Sequence, residues 1–84
     1  MGDMLLTAKQ RILVALLRQG SMQNSIIAKR VGVTEQWCSE MVAALEKEGL
    51  IESTFQPPRR INKLTLRGVE IAKHLKEISE KAGI

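Results

Sequence analysis

The apolar residues between positions 34 and 48 follow the spacing of one face of a helix. They recur at intervals of three, one and three, at Cys38, Met41, Val42 and Leu45. This spacing predicts a helix from about Thr34 to Glu48 with one buried stripe. Thr34 has the side-chain oxygen that caps the free N–H groups of a helix start, and Gly49 is expected to end the helix.

A shorter helix is expected just before it. Its start falls at Gln23, Asn24 or Ser25, of which the last two are the better capping residues. Between the two helices, Gly32 supplies the left-handed backbone conformation that a sharp turn needs. Helix, tight turn and helix make a helix-turn-helix, in which the second helix is presented to a partner.

The chain ahead of this unit predicts one more helix, from about Thr7 to Gln19. Thr7 and Gln10 have the spacing of a capping box, and Gly20 indicates the end of the helix. The three residues that follow, Ser21–Gln23, are expected to form no more than an extended connector.

Two β-prone segments follow the helix-turn-helix, at Leu50–Thr54 and Ile61–Leu66. The segment between them, Phe55–Arg60, contains two prolines, which cannot lie inside a paired strand and therefore indicate a loop. Strand, loop and strand predict a β-hairpin.

The last part of the chain predicts a helix over about residues 66–82, capped by Thr65 or a neighbour. The apolar residues expected to dock on the core are Leu66, Val69, Ala72 and Leu75. The residues spaced as in a coiled-coil seam are Ile71, Leu75, Ile78 and Ala82. Because this apolar arc is wider than one-sided docking needs, we expect the helix to support dimerisation.

Length and composition limit the kind of protein. The 84 residues predict one domain over residues 1–84, mainly helical with some β structure and with a core in about residues 7–66. No apolar run approaches the roughly 18 residues of a membrane span, and a secretory signal is not expected, so the cytoplasm is the expected location. Cys38 is the only cysteine and His74 the only histidine, so we expect no metal, no other cofactor and no enzyme activity.

The charges are unevenly placed along the chain. The net charge is +4, and the segment from Ser53 to Val69 contains four basic residues and no acidic one. The helix predicted over residues 34–48 instead carries four glutamates against one lysine. Basicity of this size permits nucleic-acid binding, and the hairpin carries most of it.

Four motifs connect these elements to a known family. They are I-A-K-R-V-G-V-T at Ile27–Thr34, L-E-K-E-G-L-I at Leu45–Ile51, R-R at Arg59–Arg60 and L-T-L-R-G at Leu64–Gly68. With them, residues 12–75 resemble the winged helix-turn-helix domain of MarR-type transcriptional regulators. The resemblance implies a three-helix bundle with a β-hairpin wing and a C-terminal helix, in a homodimer that binds double-stranded DNA. Members are usually longer, so these residues can also be one domain of a longer chain.

The resemblance further implies that the helix over residues 34–48 lies in the major groove and the wing in the adjacent minor groove. The positions this implies for DNA contact are Lys29, Arg30, Thr34, Gln36, Trp37, Ser39, Glu40, Arg59, Arg60 and Lys63. Gln36 can pair with adenine, and Ser39 can bond a base edge or a phosphate. Glu40 departs from the family, which commonly has a basic residue there; its carboxylate repels phosphate but can accept from the amino group of cytosine.

Trp37 has three interpretations. It stacks on sugar and base, or it anchors a protein contact, since tryptophan is frequent in interface hot spots, or it folds back on Met41 and the base of the wing. The alternative function is therefore a protein-interaction winged helix of a transcription or replication assembly, with Trp37, Met41 and the acidic helix as its contact face. The operator and any small-molecule effector stay open.

Overall fold

The computed structural model describes residues 6–82 of the chain. The elements follow in the order α1 (Ala8–Gln19), β1 (Ser21–Gln23), α2 (Asn24–Val31), α3 (Glu35–Lys47), β2 (Ile51–Gln56), β3 (Arg59–Leu64) and α4 (Leu66–Ala82). This confirms the predicted fold class: three helices, a β-hairpin wing and a C-terminal helix. Residues 1–5 and 83–84, which the expectation of one domain includes, lie outside the described residues.

The predicted caps of α1 and α3 are confirmed. Thr7 and Gln10 form both hydrogen bonds of a capping box at the start of α1. At the start of α3, the backbone N–H of Trp37 donates to Thr34 Oγ1 at 3.1 Å. Because these side chains satisfy amide groups that have no partner inside the helix, they fix where each helix begins.

The turn between α2 and α3 also has the expected geometry. Gly32 adopts φ 84° and ψ 40°, the left-handed conformation that side chains other than glycine rarely adopt. Helix α2 starts within the predicted range, but its N-cap is Gln23, not one of the two better capping residues, and no side chain caps it. The side chain of Asn24 turns instead toward β3 and α3, where it is hydrogen-bonded.

The prediction for Ser21–Gln23 was wrong. These residues form β1, which pairs antiparallel with β3 and places Met22 opposite Asn62. The sheet has three strands in the order β1-β3-β2, so β3 lies at its centre. The wing is therefore bonded on one side to the backbone that leads directly into α2.

The hairpin is tighter than predicted. Strands β2 and β3 pair up to Gln56 and Arg59, so only Pro57 and Pro58 remain for the turn. Arg59 and Arg60 lie in β3 and not in the expected loop, because the ladder extends to the residues on either side of the prolines. Both arginines nevertheless belong to the wing, as predicted.

The core lies between the helices and the inner face of the sheet. The predicted stripe of α3 is buried, with Cys38 0% and Leu45 2% exposed. Helix α4 packs mainly against α1 and buries Ala72 completely. Leu66, expected to dock on this core, is 86% exposed, because the first turn of α4 points it outward. No helix within residues 6–82 is long and apolar enough to cross a membrane.

Gly68 fixes the approach of α4 to the base of the wing. A Cβ atom at this position would lie 2.0 Å from the carbonyl oxygen of Leu50 and 3.2 Å from the side chain of Leu64. Both neighbours belong to the base of the hairpin, and one of them is backbone that cannot turn aside. Glycine is therefore required here for close packing.

Candidate nucleic-acid interface

Helix α3 leaves one broad face uncovered by the rest of the described chain. Gln36, Glu40 and Ala43 are exposed and lie near the centre of that face, since residues four or three apart fall on the same side of a helix. Trp37 and Ser39 are also exposed and lie on opposite flanks, roughly 160° apart by helical geometry. The face is wide enough to present several polar groups at once.

Trp37 lies on the flank of α3 nearest the start of α1. Its side chain is 53% exposed. It borders an open, mainly apolar groove of about 450 Å³ together with Met41, and the opposite wall is formed by Thr7, Ala8 and Lys9. The third interpretation placed Trp37 against Met41 and the base of the wing. Met41 lines the same groove, but the groove lies beside α1 and not at the base of the wing.

Ser39 lies on the other flank and is connected to the wing. Its hydroxyl oxygen accepts a hydrogen bond from Asn24 Nδ2 at 3.0 Å. Asn24 is bonded in turn to Asn62, a fully buried residue of β3. Asn24 and Asn62 were not predicted as functional residues. The available signal was a polar residue inside the otherwise β-prone Ile61–Leu66 segment, at an inward-facing position.

Two of the three predicted basic side chains of the wing have no acidic partner within residues 6–82. Arg59 and Arg60 are exposed, and neither forms an ion pair with another residue of the described range 6–82. Lys63 is also exposed, but its Nζ lies 3.7 Å from Glu52 Oε1 on the neighbouring strand. Two of the three predicted wing cations are thus available to an external anion, and Lys63 is partly neutralised.

Lys29 and Arg30 provide a second basic region, in the last turn of α2. Both are exposed, and no ion pair joins either of them to another described residue. They immediately precede the turn at Gly32 and the cap at Thr34. The chain thus places positive charge directly before the start of α3.

The glutamates of α3 and its C-cap residue, Glu48, differ in their surroundings. Glu35 lies in the first turn, where the helix dipole favours a negative charge. Glu48 Oε2 lies 2.9 Å from Lys9 Nζ, at the opposite end of the helix. Glu40 alone is exposed near the centre of the presented face, as the sequence predicted, so it is the acidic residue that any partner of that face must accommodate.

The buried side of α3 holds the single cysteine of the sequence. Cys38 is fully buried and its Sγ lies 3.5 Å from the carbonyl oxygen of Asn24. Burial, with a smaller contribution from the charge of Glu35, raises the pKa of the Cys38 thiol above its usual value of 9.0. Within residues 6–82 no group of three or more histidine, cysteine or acidic side chains could hold a metal ion. The single histidine of the sequence, His74, is exposed on α4 and belongs to no such group.

The predicted dimerisation seam is partly used within the chain. Ile71 and Leu75 are half-buried and pack against the core. Ile78 is 56% exposed, and Ala82 is the last residue of α4. Of the four seam residues, Ile78 is therefore the one whose side chain is shown to be open to a partner.

These features have a clear family assignment. The chain belongs to the winged helix-turn-helix DNA-binding family, which matches residues 5–52. The match covers α1, β1 and the whole helix-turn-helix. No curated protein sequence matches the chain.

Several MarR-family regulators of known structure share the fold, which confirms the resemblance noted from the sequence. A ZitR variant from Lactococcus lactis has a TM-score of 0.85 at 23% identity, covering 90% of this chain and 53% of ZitR. The PcaV transcriptional regulator from Streptomyces coelicolor, in complex with its natural ligand, has a TM-score of 0.80 at 22% identity, covering 89% and 55%. YusO from Bacillus subtilis has a TM-score of 0.79 at 24% identity, covering 90% and 56%. The chain spans about half the length of these proteins.

Proposed function

We propose that this protein is a transcriptional regulator that binds double-stranded DNA sequence-specifically as a homodimer, with no enzyme activity and no cofactor. The observation that carries the proposal is the exposed polar face of α3 in a chain of the winged helix-turn-helix DNA-binding family. Such proteins place a helix of this kind in the major groove and read base edges with its first turns. We expect a regulator of this kind to work in the cytoplasm.

In this arrangement α3 supplies the base contacts. Gln36 pairs with adenine through its amide, Ser39 donates to a base edge from one flank of the helix, and Trp37 stacks on sugar and base from the other. Glu40, at the centre of the face, accepts from the amino group of cytosine. Its charge also lowers affinity for every other sequence, because a carboxylate near phosphates is repelled wherever no amino group meets it.

Wing and α2 supply the contacts that do not depend on sequence. Arg59 and Arg60 enter the minor groove, where a narrow groove concentrates negative potential. Lys29 and Arg30 approach phosphates at the entry to α3. The hydroxyl of Thr34 accepts from the backbone of α3 and keeps its own proton for a phosphate oxygen. Lys63 adds less, because Glu52 lies beside it.

The homodimer is formed through α4, with Ile78 at its exposed centre and Ile71, Leu75 and Ala82 along the same seam. A two-fold axis through this seam sets the two α3 helices one turn of DNA apart, about 34 Å, on a pseudo-palindromic site. A chain of this size buries a modest core, and association of two copies would add to its stability.

A second candidate function rests on Trp37. A tryptophan that is half exposed beside an apolar groove also has the features of a protein-interaction anchor. In that case Trp37 and the acidic side of α3 form the contact face, in a transcription or replication assembly. Met41, expected in this face, is only 7% exposed and does no more than line the groove.

A mobility-shift assay on mixed genomic fragments separates the two functions. The wild-type protein is expected to shift DNA at micromolar concentration or below, and Arg59→Ala/Arg60→Ala to lose most of this binding. The matched control is Lys76→Ala/Lys81→Ala, which removes the same charge from two ion pairs on α4 and should bind nearly as the wild type does. If the wild-type protein shifts no fragment, the DNA proposal is wrong and the protein-interaction function is favoured.

A further inference from the structure

A chain of hydrogen bonds runs from the wing to the exposed face of α3. It consists of Ser53 on β2, Asn62 on β3, Asn24 at the start of α2 and Ser39 on α3. Asn62 is 0% exposed, so its amide is removed from water and depends on these partners. This chain of hydrogen bonds is therefore a fixed part of the structure where the sheet meets the helix-turn-helix.

The backbone determines which way the Asn62 amide points. Asn62 Nδ2 lies 3.2 Å from the carbonyl oxygen of Met22, which can only accept a hydrogen bond. The nitrogen must therefore face Met22, and the same nitrogen donates to Asn24 Oδ1 at 2.5 Å. Its oxygen accepts from the Ser53 hydroxyl at 2.5 Å. The reversed amide would set one oxygen against another at Met22.

This orientation is passed on to Ser39. Because Asn24 Oδ1 is turned toward Asn62, Asn24 Nδ2 is turned toward Ser39 and donates to its hydroxyl oxygen at 3.0 Å. A serine hydroxyl can accept and donate at the same time. Within residues 6–82 the hydroxyl proton of Ser39 has no acceptor, and the side chain is exposed. Each of the three hydrogen bonds that link these four residues is thus donated in the direction from the wing toward the exposed face of α3.

We infer that Asn62 and Asn24 are positioning residues that make Ser39 a hydrogen-bond donor toward the major groove and hold it in a fixed relation to the wing. This rests on the DNA-binding function proposed above. The groups that accept from Ser39 are guanine O6 or N7, adenine N7 and thymine O4, whereas the cytosine amino group offers only a donor. Ser39 therefore selects against cytosine at the position it faces, although serine alone can pair with any of these edges.

The variant Asn24→Asp reverses the last step of the chain. A carboxylate at this position still accepts from Asn62 Nδ2, but it now accepts from Ser39 as well and draws the hydroxyl proton inward. The change is close to isosteric, and an acid is favourable in the first turn of α2, so the variant is expected to fold. Thermal unfolding of each variant checks this.

The measurement is a double-mutant cycle of Asn24→Asp and Ser39→Ala, read as affinity for a duplex that the wild-type protein has selected from a random library. In the wild-type background Ser39→Ala is expected to weaken binding about five- to tenfold, the usual effect of one hydrogen bond. In the Asn24→Asp background it should cost less than about twofold, since Ser39 no longer donates outward. The charge of residue 24 is constant within each comparison.

Ser25→Asp provides the matched control. It adds the same charge one residue further along α2 and leaves the hydrogen-bonded chain intact, so Ser39→Ala should keep its full cost in that background. On an unselected duplex Ser39→Ala should cost nothing, because a contact to a base edge is absent there.

The possible results distinguish a failure of this inference from a failure of the proposed DNA-binding function. If the wild-type protein selects no duplex, the proposed function is wrong and the inference fails with it. If the wild-type protein selects a duplex but Ser39→Ala costs the same with Asn24 and with Asp at that position, only the inference is overturned. An equal cost on selected and unselected DNA also overturns it, since the acceptor would then be a phosphate.

Discussion

Helix α3 and the wing differ in how firmly they are held and in the charge they carry. The helix buries four residues along one side, and its glutamates outnumber its single lysine. The wing is a two-stranded extension in which residues 54–60 are all exposed, and its end carries Arg59 and Arg60. The two regions are therefore suited to different parts of DNA binding.

A helix that is anchored by a buried stripe and carries few positive charges is suited to reading base edges, whereas an exposed cationic hairpin is suited to attracting phosphates. Contacts to phosphate provide most of the affinity and its salt dependence, while base contacts provide specificity. In many DNA-binding helices both properties occur together. Here we expect mutations in the wing to lower affinity for all sequences, and mutations on the face of α3 to change the choice among them.

The largest expected effect comes from breaking the junction that holds both regions. Gly68→Ala places a methyl group 2.0 Å from the Leu50 carbonyl, so α4 must move away from the base of the wing. We expect a loss of about 3 kcal/mol in the free energy of unfolding and a fall in Tm of more than about 10 °C. Calorimetry measures both, and Arg67→Ala, an exposed change at the preceding residue, should leave stability within about 0.5 kcal/mol. Equal stability of the two variants would show that the close approach at Gly68 is not required.

The next largest effect concerns dimerisation through α4, which would bring two copies of α3 and of the wing to the DNA. Ile78→Glu should weaken self-association by about a hundredfold, because an unpaired carboxylate would be buried in the proposed seam. Ile78 is preferable to Leu75 for this test, since Leu75 also packs on the core of its own chain.

Sedimentation velocity measures this change directly. Leu66→Glu is the matched control, because Leu66 is an exposed apolar residue at the other end of the same helix and outside the seam. The wild type and Leu66→Glu should sediment as dimers and Ile78→Glu as a monomer. A dimer that survives Ile78→Glu would place the interface elsewhere.

The smallest effect concerns the negative charge on the exposed face of α3. Glu40→Gln removes the one carboxylate at the centre of the presented face and should tighten binding to unselected duplex about two- to fivefold. Glu46→Gln removes the same charge near the far end of α3 and should change binding little. Fluorescence anisotropy with one labelled duplex compares the two. Equal effects would show that only net charge matters and that Glu40 does not face the DNA.

The sequence predicted the parts of the fold that depend on local signals. The stripe at Cys38 and Leu45, the turn at Gly32 and the cap at Thr34 follow from helical spacing and backbone chemistry within a few residues. Strand β1 could not be predicted in this way, because Met22 pairs with Asn62, far along the chain. Three residues are too few to form a strand without that partner.

The candidate site was predicted in outline, and its internal connections were not. The exposed positions on α3 and the wing arginines follow from periodicity and from the resemblance to a known family. That Asn24 bonds Ser39, that Glu52 neutralises Lys63 and that Trp37 borders α1 are consequences of how distant elements pack. Their roles in binding DNA stay predictions.

We expect the wing to provide most of the electrostatic attraction for DNA and α3 to provide none. The most direct test is the affinity for one selected duplex measured over a range of salt concentrations, for the wild-type protein and for Arg59→Ala/Arg60→Ala. The slope of log K against log salt should become shallower by about 2 per protomer in the variant, because two phosphate contacts are lost. An unchanged slope in the variant, or a wild-type affinity that hardly responds to salt, would show that the wing does not attract DNA in this way.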